Sequence, residues 1–438
     1  MDIVSYRGEG AGGGVSSALK AAFDNFGDSK SRWWFLQNND LSYLNGDARV
    51  HPVFNLENDL VQGHYRYCNE FIWPLMHDLP QFAVFKDADR NYYREFNRKI
   101  SQIQLDAGIG GKDIFIHDYQ FAILPALLKN SQMSIFWHIP WPKNVPHHFS
   151  EPISELVLGM LSCAKIGFHT NEYAQNFIQF VHDFFPEYRV NCDELVIKNR
   201  KTKKLTRLLV RPLGLDLKFW KAADAKQNLS IELPDTPIIL SVDRADYTKG
   251  IMQRLEMIDY FFGARPDYLG KLAFVQICQQ TRPGLKAFDD YWQNCRDYAY
   301  EIEERYAVSN WKPLYWHTNP ISQQELSGLY KRAQVMLVNP VRDGLNLTAK
   351  EYVASLDSPH DQNHKSGLLM LSSGAGVYDE FGDQAVDVNP NSCKDAAEAL
   401  NYSLKMPTIN RNNRINLMKQ RLKTNSLEKW WHDFELTG

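Results

Sequence analysis

Cysteine is scarce and poorly spaced for structural work: six residues in 438, at positions 68, 163, 192, 278, 295 and 393, with no Cys-x-x-Cys pair. That spacing argues against a disulfide framework or a cysteine zinc site and for free thiols in a reducing compartment. Neither sign of charge dominates, with 49 Lys and Arg against 52 Asp and Glu and a net charge of −3. No global field is therefore present to recruit nucleic acid or an anionic membrane surface. Long hydrophobic runs are missing too, and none approaches the roughly 18 residues needed to span a bilayer. The opening Met-Asp-Ile-Val-Ser-Tyr-Arg lacks the charged-then-apolar pattern of a signal peptide. These absences together predict a cytoplasmic protein with no nucleic-acid or membrane partner, and they leave a homo-oligomer open.

What the chain does have is length and aromatic rings. At 438 residues it has room for two or three domains. Aromatics make up 13%, including 11 Trp, which suits polar-rimmed pockets for sugars or bases, although Trp is more often core. One stretch, 335–351, organises the rest. Val335-Met336-Leu337-Val338 reads as a buried strand, Pro340 stops it, Asp343-Gly344 makes a tight turn, and a helix follows from about Leu347. A strand, a glycine turn and a helix start form an anion site, because the first helical N–H groups have no partner within the helix. Glu351, one to two turns inside, is placed for hydroxyls such as those of a ribose. An ordinary strand-to-helix turn with a surface glutamate has the same appearance.

The remaining chain reads as alternating strands and helices. Residues 2–6 form a first strand, followed by Arg7 and a glycine-rich loop in which Gly8, Gly10 and Gly13 satisfy Gly-x-Gly-x-x-Gly; Asp40 is the matching acid for a dinucleotide site. Residues 63–80 are dense in Tyr, Trp and His and read as a mostly buried helix, whereas 86–106 reads as an exposed helix face. Three apolar strands end in polar residues: His117-Asp118-Tyr119, then His138-Ile139-Pro140-Trp141-Pro142, then His169-Thr170-Asn171. Such strands build a parallel sheet covered on both faces, with ligands beyond the carboxyl ends. The basic run 198–207 reads as a solvated hairpin or loop, and a domain boundary falls near 216–234. A second series then sets Arg244, Lys249, Arg282 and Asp343-Gly344 at the strand ends of one sheet. Two cations five residues apart beside a helix start suggest a pyrophosphate clamp; unrelated surface charges are the plainer alternative. Residues 426–434 read as an amphipathic helix.

Arg244-Ala-Asp-Tyr-Thr-Lys249-Gly250, Arg342-Asp343-Gly344-Leu345-Asn346-Leu347-Thr-Ala-Lys-Glu351, His117-Asp118-Tyr119 and His138-Ile-Pro-Trp-Pro142 resemble the trehalose-6-phosphate synthase family, nearly end to end and in order. That family includes glucosylglycerol-phosphate synthase and validamycin-type pseudo-glycosyltransferases. The resemblance implies an α/β GT-B fold: two Rossmann-like domains, 1–220 and 221–410, with parallel sheets facing across a cleft, and a segment 411–438 returning to the first. It implies retaining glycosyl transfer with no metal and no cofactor, from a nucleotide-sugar donor to a phosphorylated acceptor, first of all glucose to glucose 6-phosphate. By the same resemblance Arg244 and Lys249 hold the diphosphate. Gly13 and Gly14 close over it, and Gly344, Leu345, Asn346 and Leu347 present amides to it or to the donor sugar. Asp343 binds sugar hydroxyls, Glu351 the ribose, and His138 the sugar near its O6. Asp118 bonds the acceptor, Arg7 and Arg282 grip its phosphate, and Trp73 and His64 complete the acceptor side.

Three departures from the family pattern stand out. Trehalose-6-phosphate synthases carry Tyr nine residues before the acceptor-side Trp; here Trp73 is kept and the position is His64. The glycine loop follows Arg7 almost at once. The segment Pro320-Ile321-Ser322-Gln323 lacks the Arg usual near the base. These bear on the acceptor and the nucleobase, so another phosphorylated polyol or aminocyclitol remains the second acceptor. A non-catalytic nucleotide-sugar sensor and a dinucleotide oxidoreductase are the rival classes.

Overall fold

The structure is a computed structural model that describes residues 1–8, 13–36, 47, 49–53, 56–108, 113–128, 132–222, 229–357 and 367–436. Gly10 and Asp40 lie outside the described residues, so the dinucleotide pattern is only partly visible. The chain packs as two compact units. One comprises 1–214 with 425–438, and the other 215–424.

The first unit is built on nine strands: β1 Asp2–Ser5, β2 Trp33–Leu36, β3 Val50–Val53, β4 Asp113–His117, β5 Gln132–Phe136, β6 Lys165–Phe168, β7 Tyr188–Asn191, β8 Val196–Asn199 and β9 Leu205–Val210. Their order is β3-β2-β1-β4-β5-β6-β9-β8-β7. All pairings from β3 to β9 are parallel, and β7–β8–β9 is antiparallel. The basic run therefore lies in a hairpin, because Asn199 Oδ1 accepts from the amides of Lys201 and Thr202 and folds the turn. Ile3, Val4, Ile114, Phe115, Ile116, Ile135, Phe136 and Ile166 are all buried. Such near-continuous burial is what a parallel sheet covered on both faces requires.

The helix Leu427–Phe434 packs on this sheet. Trp430 and Phe434 are buried, and the Phe434 ring stacks on Phe115 at 4.8 Å. Gly167 makes room for it, since a Cβ there would lie 2.4 Å from the Phe434 ring. Lys165 Nζ donates to the Asp433 and Glu435 carbonyls at 2.9 and 2.6 Å, satisfying acceptors that the end of the helix leaves open.

The second unit holds six parallel strands: β10 Ile238–Ala245, β11 Ala273–Gln280, β12 Leu314–His317, β13 Ala333–Val338, β14 Leu369–Leu371 and β15 Val386–Asp387, ordered β12-β11-β10-β13-β14-β15. Counted from its own first strand this is 3-2-1-4-5-6, and strands β1 to β6 of the first unit repeat it. Both are the doubly wound Rossmann order, in which the chain reverses direction across the sheet between the first and fourth strands and leaves a crevice at their carboxyl ends. The reversal falls between β1 and β4 in one unit and between β10 and β13 in the other.

Candidate functional site

The crevice of the second unit is lined by the loops that follow β10 and β13. Arg244, partly exposed, is the next-to-last residue of β10. Asp246 then folds the chain: its Oδ1 accepts from the Thr248 amide and hydroxyl at 3.1 and 3.0 Å, and its Oδ2 accepts from Arg282 at 2.6 Å. Gly250 starts the helix Ile251–Ala264 at φ 66°, and a Cβ there would meet the Asn339 carbonyl oxygen at 2.2 Å. Left-handed backbone and close approach both require glycine. The two loops are stitched together, because the Val341 amide donates to the Thr248 carbonyl at 2.8 Å and Asn339 Nδ2 to the Gly250 carbonyl at 3.1 Å. Beneath them Arg254 is fully buried and bonds Asn339, Gln276 and Asp243 at 2.7, 2.7 and 2.8 Å. A buried guanidinium with its donors satisfied fixes both loops on one frame.

On that frame Lys249 Nζ pairs with Asp343 Oδ2, which also accepts from Asn346 Nδ2 at 3.1 Å. Asn346 sits at φ 75° and caps the helix Leu347–Ser355, its Oδ1 taking the Ala349 amide at 3.2 Å and the Thr348 hydroxyl at 2.6 Å. The cap occupies the third helical amide. The first two, of Leu347 and Thr348, have no partner within the helix. Gly344 is crossed closely by the 372–377 turn, where a Cβ on Gly376 would lie 2.0 Å from the Gly344 carbonyl oxygen. The Leu345 carbonyl accepts from the Val377 amide at 2.8 Å. Further along the helix, buried Glu351 accepts from the Tyr330 hydroxyl at 3.0 Å, and burial pushes its carboxyl up to about 7. Arg282, at φ 49°, is buried and donates from Nη1 to Asp246 Oδ2. Ser322 forms a capping box with Glu325 at the start of the helix Gln323–Arg332, so its side chain serves that helix.

In the first unit Arg7 follows β1 and is exposed, with its carbonyl held by Ser5 Oγ at 2.7 Å. Gly8 lies against Phe35, where a Cβ would meet the ring at 2.2 Å. Gly13, at φ 98°, precedes the helix Gly14–Phe26. Across the crevice, after β4, Asp118 takes φ 74° and ψ 175°. This region is nearly exclusive to glycine and costs an aspartate about 1–3 kcal/mol. The strain is held by the Asp118 amide donating to the Phe136 carbonyl at 2.8 Å and by Asp118 Oδ1 accepting from the His138 amide at 3.1 Å.

His138 is buried, its Nε2 lies 3.1 Å from His117 Nδ1, and its Nδ1 finds no partner among the described residues. Burial draws its imidazole down to about 3, so it is neutral at physiological pH. His169, the third strand-end histidine, is buried and accepts the Leu213 amide at Nδ1 (3.4 Å).

His64 and Trp73 share one helical run, Asn58–Arg66, Tyr67–Ile72 and Trp73–Met76, whose middle part is π-helical. Nine residues make two and a half α-helical turns, which would face them apart. The wider π turns bring both toward one loop, with the Trp73 ring 6.0 Å from that of Tyr119 and His64 Nε2 3.0 Å from the Gln120 carbonyl oxygen. His64 itself is wholly buried and presents nothing to solvent. The helix Asp87–Asp106, expected to be exposed, hides a buried stripe of Tyr93, Phe96, Asn97, Ile100 and Gln104 behind its charges. Sequence reading missed this stripe, although apolar residues at 93, 96 and 100 keep helical spacing. It also missed Tyr330 as the partner of Glu351, for which no local signal exists.

Residues 27–436 match the model of glycosyltransferase family 20. The chain belongs to glycosyltransferase family 20. Among curated members related to it, the bifunctional trehalose-6-phosphate synthase/phosphatase of Thermoproteus tenax is 29% identical over 414 residues, covering 91% of this chain and 54% of that one. The UDP-forming alpha,alpha-trehalose-phosphate synthase A of Dictyostelium discoideum is 26% identical over 397 residues, covering 86% and 52%. The chain thus spans about half the length of these two relatives. A solved structure, the UDP-forming alpha,alpha-trehalose-phosphate synthase of Burkholderia xenovorans in complex with glucose-6-phosphate, superposes with a TM-score of 0.88 at 25% identity, covering 99% of this chain and 98% of that one. The fold is accordingly the GT-B fold of family 20. Among the described residues no group of three or more His, Cys, Asp or Glu is placed to hold a metal ion, and no helix is long and apolar enough to cross a membrane.

Proposed function

We propose that this family 20 glycosyltransferase moves glucose from UDP-glucose to glucose 6-phosphate, without a metal and with retention, giving UDP and trehalose 6-phosphate. The observation that carries the reading is the cluster of Lys249, Asp343 and Asn346 at the mouth of the helix Leu347–Ser355, with Arg244 at the end of the neighbouring strand. Two cations against the one carboxylate of Asp343, together with two helical amides, leave a net positive potential where a diphosphate gains charge as it leaves. Each well-placed donor of this kind is worth about 2.7–4 kcal/mol in comparable sites. The relatives named UDP-forming and the neighbour holding glucose-6-phosphate support the choice of substrates.

The remaining roles are those the family resemblance implies. Asp343 takes donor-sugar hydroxyls once Lys249 turns to phosphate, and Glu351 takes the ribose. The same resemblance assigns Gly13 and Gly14, at a helix start, to the diphosphate. The uncommitted Nδ1 of His138 meets the donor sugar near O6. Asp118 accepts from the acceptor hydroxyl, Trp73 lines the acceptor side, and Arg7 and Arg282 are retained for its phosphate. The bond from the anomeric carbon to phosphate oxygen breaks as the acceptor oxygen bonds on the same face. The acceptor proton passes to the departing phosphate, so no separate base is required. Six free thiols fit a reducing, cytoplasmic setting.

The test is nucleoside diphosphate release from UDP-, GDP- and ADP-glucose, each with glucose 6-phosphate, glycerol 3-phosphate or no acceptor, with and without EDTA. EDTA-resistant UDP release that requires glucose 6-phosphate supports the reading. Release with another phosphorylated acceptor only would establish the polyol or aminocyclitol alternative. Tight UDP binding with no turnover on any acceptor would make the chain a sensor.

A further inference from the structure

The strained Asp118 is followed by a loop that five side-chain hydrogen bonds hold in place. Gln120 O accepts from His64 Nε2 at 3.0 Å and from Asn97 Nδ2 at 3.1 Å. Tyr93 OH donates to Tyr119 O at 2.7 Å and accepts from the Ala122 amide at 3.1 Å, and Tyr119 OH donates to Asn69 Oδ1 at 3.3 Å. Such strain persists only where the surroundings over-determine the backbone. These bonds come from two helices, and His64 is the member that departs from the tyrosine of the family pattern. Its ring is sandwiched with Tyr6, Tyr93 and Phe96, at centroid distances of 5.5, 5.3 and 3.8 Å.

We propose that His64 is a positioning residue: its Nε2–H clamps the Gln120 carbonyl and so holds the carboxylate of Asp118, two residues earlier, where it meets the acceptor. A carbonyl oxygen only accepts, so the bond requires the proton on Nε2. Cys68 Sγ lies 3.7 Å from Nε2 and 4.0 Å from Nδ1, too long at either nitrogen to displace the 3.0 Å bond from Nε2 to the Gln120 carbonyl. Burial lowers the imidazole to about 4, which keeps the ring neutral across the working pH range. A histidine that merely filled the core would be replaceable by phenylalanine. A clamp would not be, because phenylalanine preserves the stack and deletes the donor.

This inference rests on the proposed role of Asp118 at the acceptor, and the experiment separates the two. In His64→Phe, kcat/KM for glucose 6-phosphate falls at least tenfold, while UDP affinity and the KM for UDP-glucose stay within twofold of the parent. His64→Gln, whose amide can reach the same carbonyl, recovers most of the loss, and Asn97→Leu, which removes the second donor, reproduces it. Unchanged acceptor kinetics in His64→Phe, or an equal loss of UDP affinity, would overturn the proposal. If the parent protein shows no transfer to any acceptor, the functional reading fails on its own. Amide exchange across 118–122 then decides the clamp: faster exchange in His64→Phe than in His64→Gln supports it, and equal exchange sinks it.

Discussion

Tyr330 and Glu351, on two different helices of the second unit, share a 3.0 Å hydrogen bond in a fully buried setting, and the carboxyl is pushed up to about 7. The folded protein therefore binds this proton more tightly than the unfolded chain, whose carboxyl titrates near 4.5. The stability Glu351 contributes is complete below about pH 4.5 and is lost as pH rises through about 7. Glu351→Gln should match the parent at pH 4 and exceed it at pH 8 by up to about 3 kcal/mol in urea denaturation. Nucleotide affinity should run the other way, rising from pH 6 to 8 in the parent as the carboxylate forms. That rise should be absent in Glu351→Gln, as read by calorimetric titration with UDP.

Lys249 pairs with Asp343, and in the proposed reaction it turns from that carboxylate to the diphosphate. Lys249→Ala should lower kcat by about 10²–10³-fold, the loss of one donor at a developing charge. Lys249→Arg should retain part of the rate. A double-mutant cycle with Asp343→Asn in steady-state kinetics should show strong coupling, since the two side chains are in direct contact. Additive losses would mean that they act independently.

Asp118 gives a test in which the usual rank of glycine and alanine reverses. Both Asp118→Ala and Asp118→Gly lose the carboxylate that accepts from His138, but only alanine keeps a Cβ at φ 74°. Asp118→Gly should be the more stable by about 1–2 kcal/mol in chemical denaturation. Alanine proving equal or better would mean that the backbone relaxes out of this conformation without penalty.

Gly250→Ala should be among the most damaging small changes in the second unit. Its Cβ would lie 2.2 Å from the Asn339 carbonyl oxygen at a left-handed φ of 66°, on the turn that carries Lys249. A loss of at least 2 kcal/mol is expected, on the order of the strain and contact terms together. Gly13→Ala, whose Cβ would meet nothing within 4 Å among the described residues, should lose only the smaller cost of its positive φ.

The strand series in both halves was legible because buried parallel strands are short apolar runs with polar ends, as at 113–117 and 335–338. The turn and helix start at 343–347 were legible for the same local reason, since capping and glycine chemistry act within a few residues. What sequence alone did not carry was long-range. The order in which strands pair, the bond from Tyr330 to Glu351, the burial of His64 and the pairing of Arg282 with Asp246 all join residues far apart in the chain. The positive φ of Asp118 escaped because nothing in an aspartate announces a glycine conformation. The helix Asp87–Asp106 misled because its charges outnumber the stripe of rings they conceal.

Trp430 and Phe434 cover Phe115, Phe136 and Gly167, yet they are encoded after the whole of 215–424. Synthesis runs in one direction at roughly 5–20 residues per second. The first sheet is therefore complete in its strands long before the helix that seals it leaves the ribosome. For the roughly 10–40 seconds that translation of the intervening 210 residues takes at that pace, its aromatic face stays open to solvent and to other nascent chains. The second unit, continuous in sequence, has no such wait and can finish first, so the order of folding is set to invert the order of synthesis.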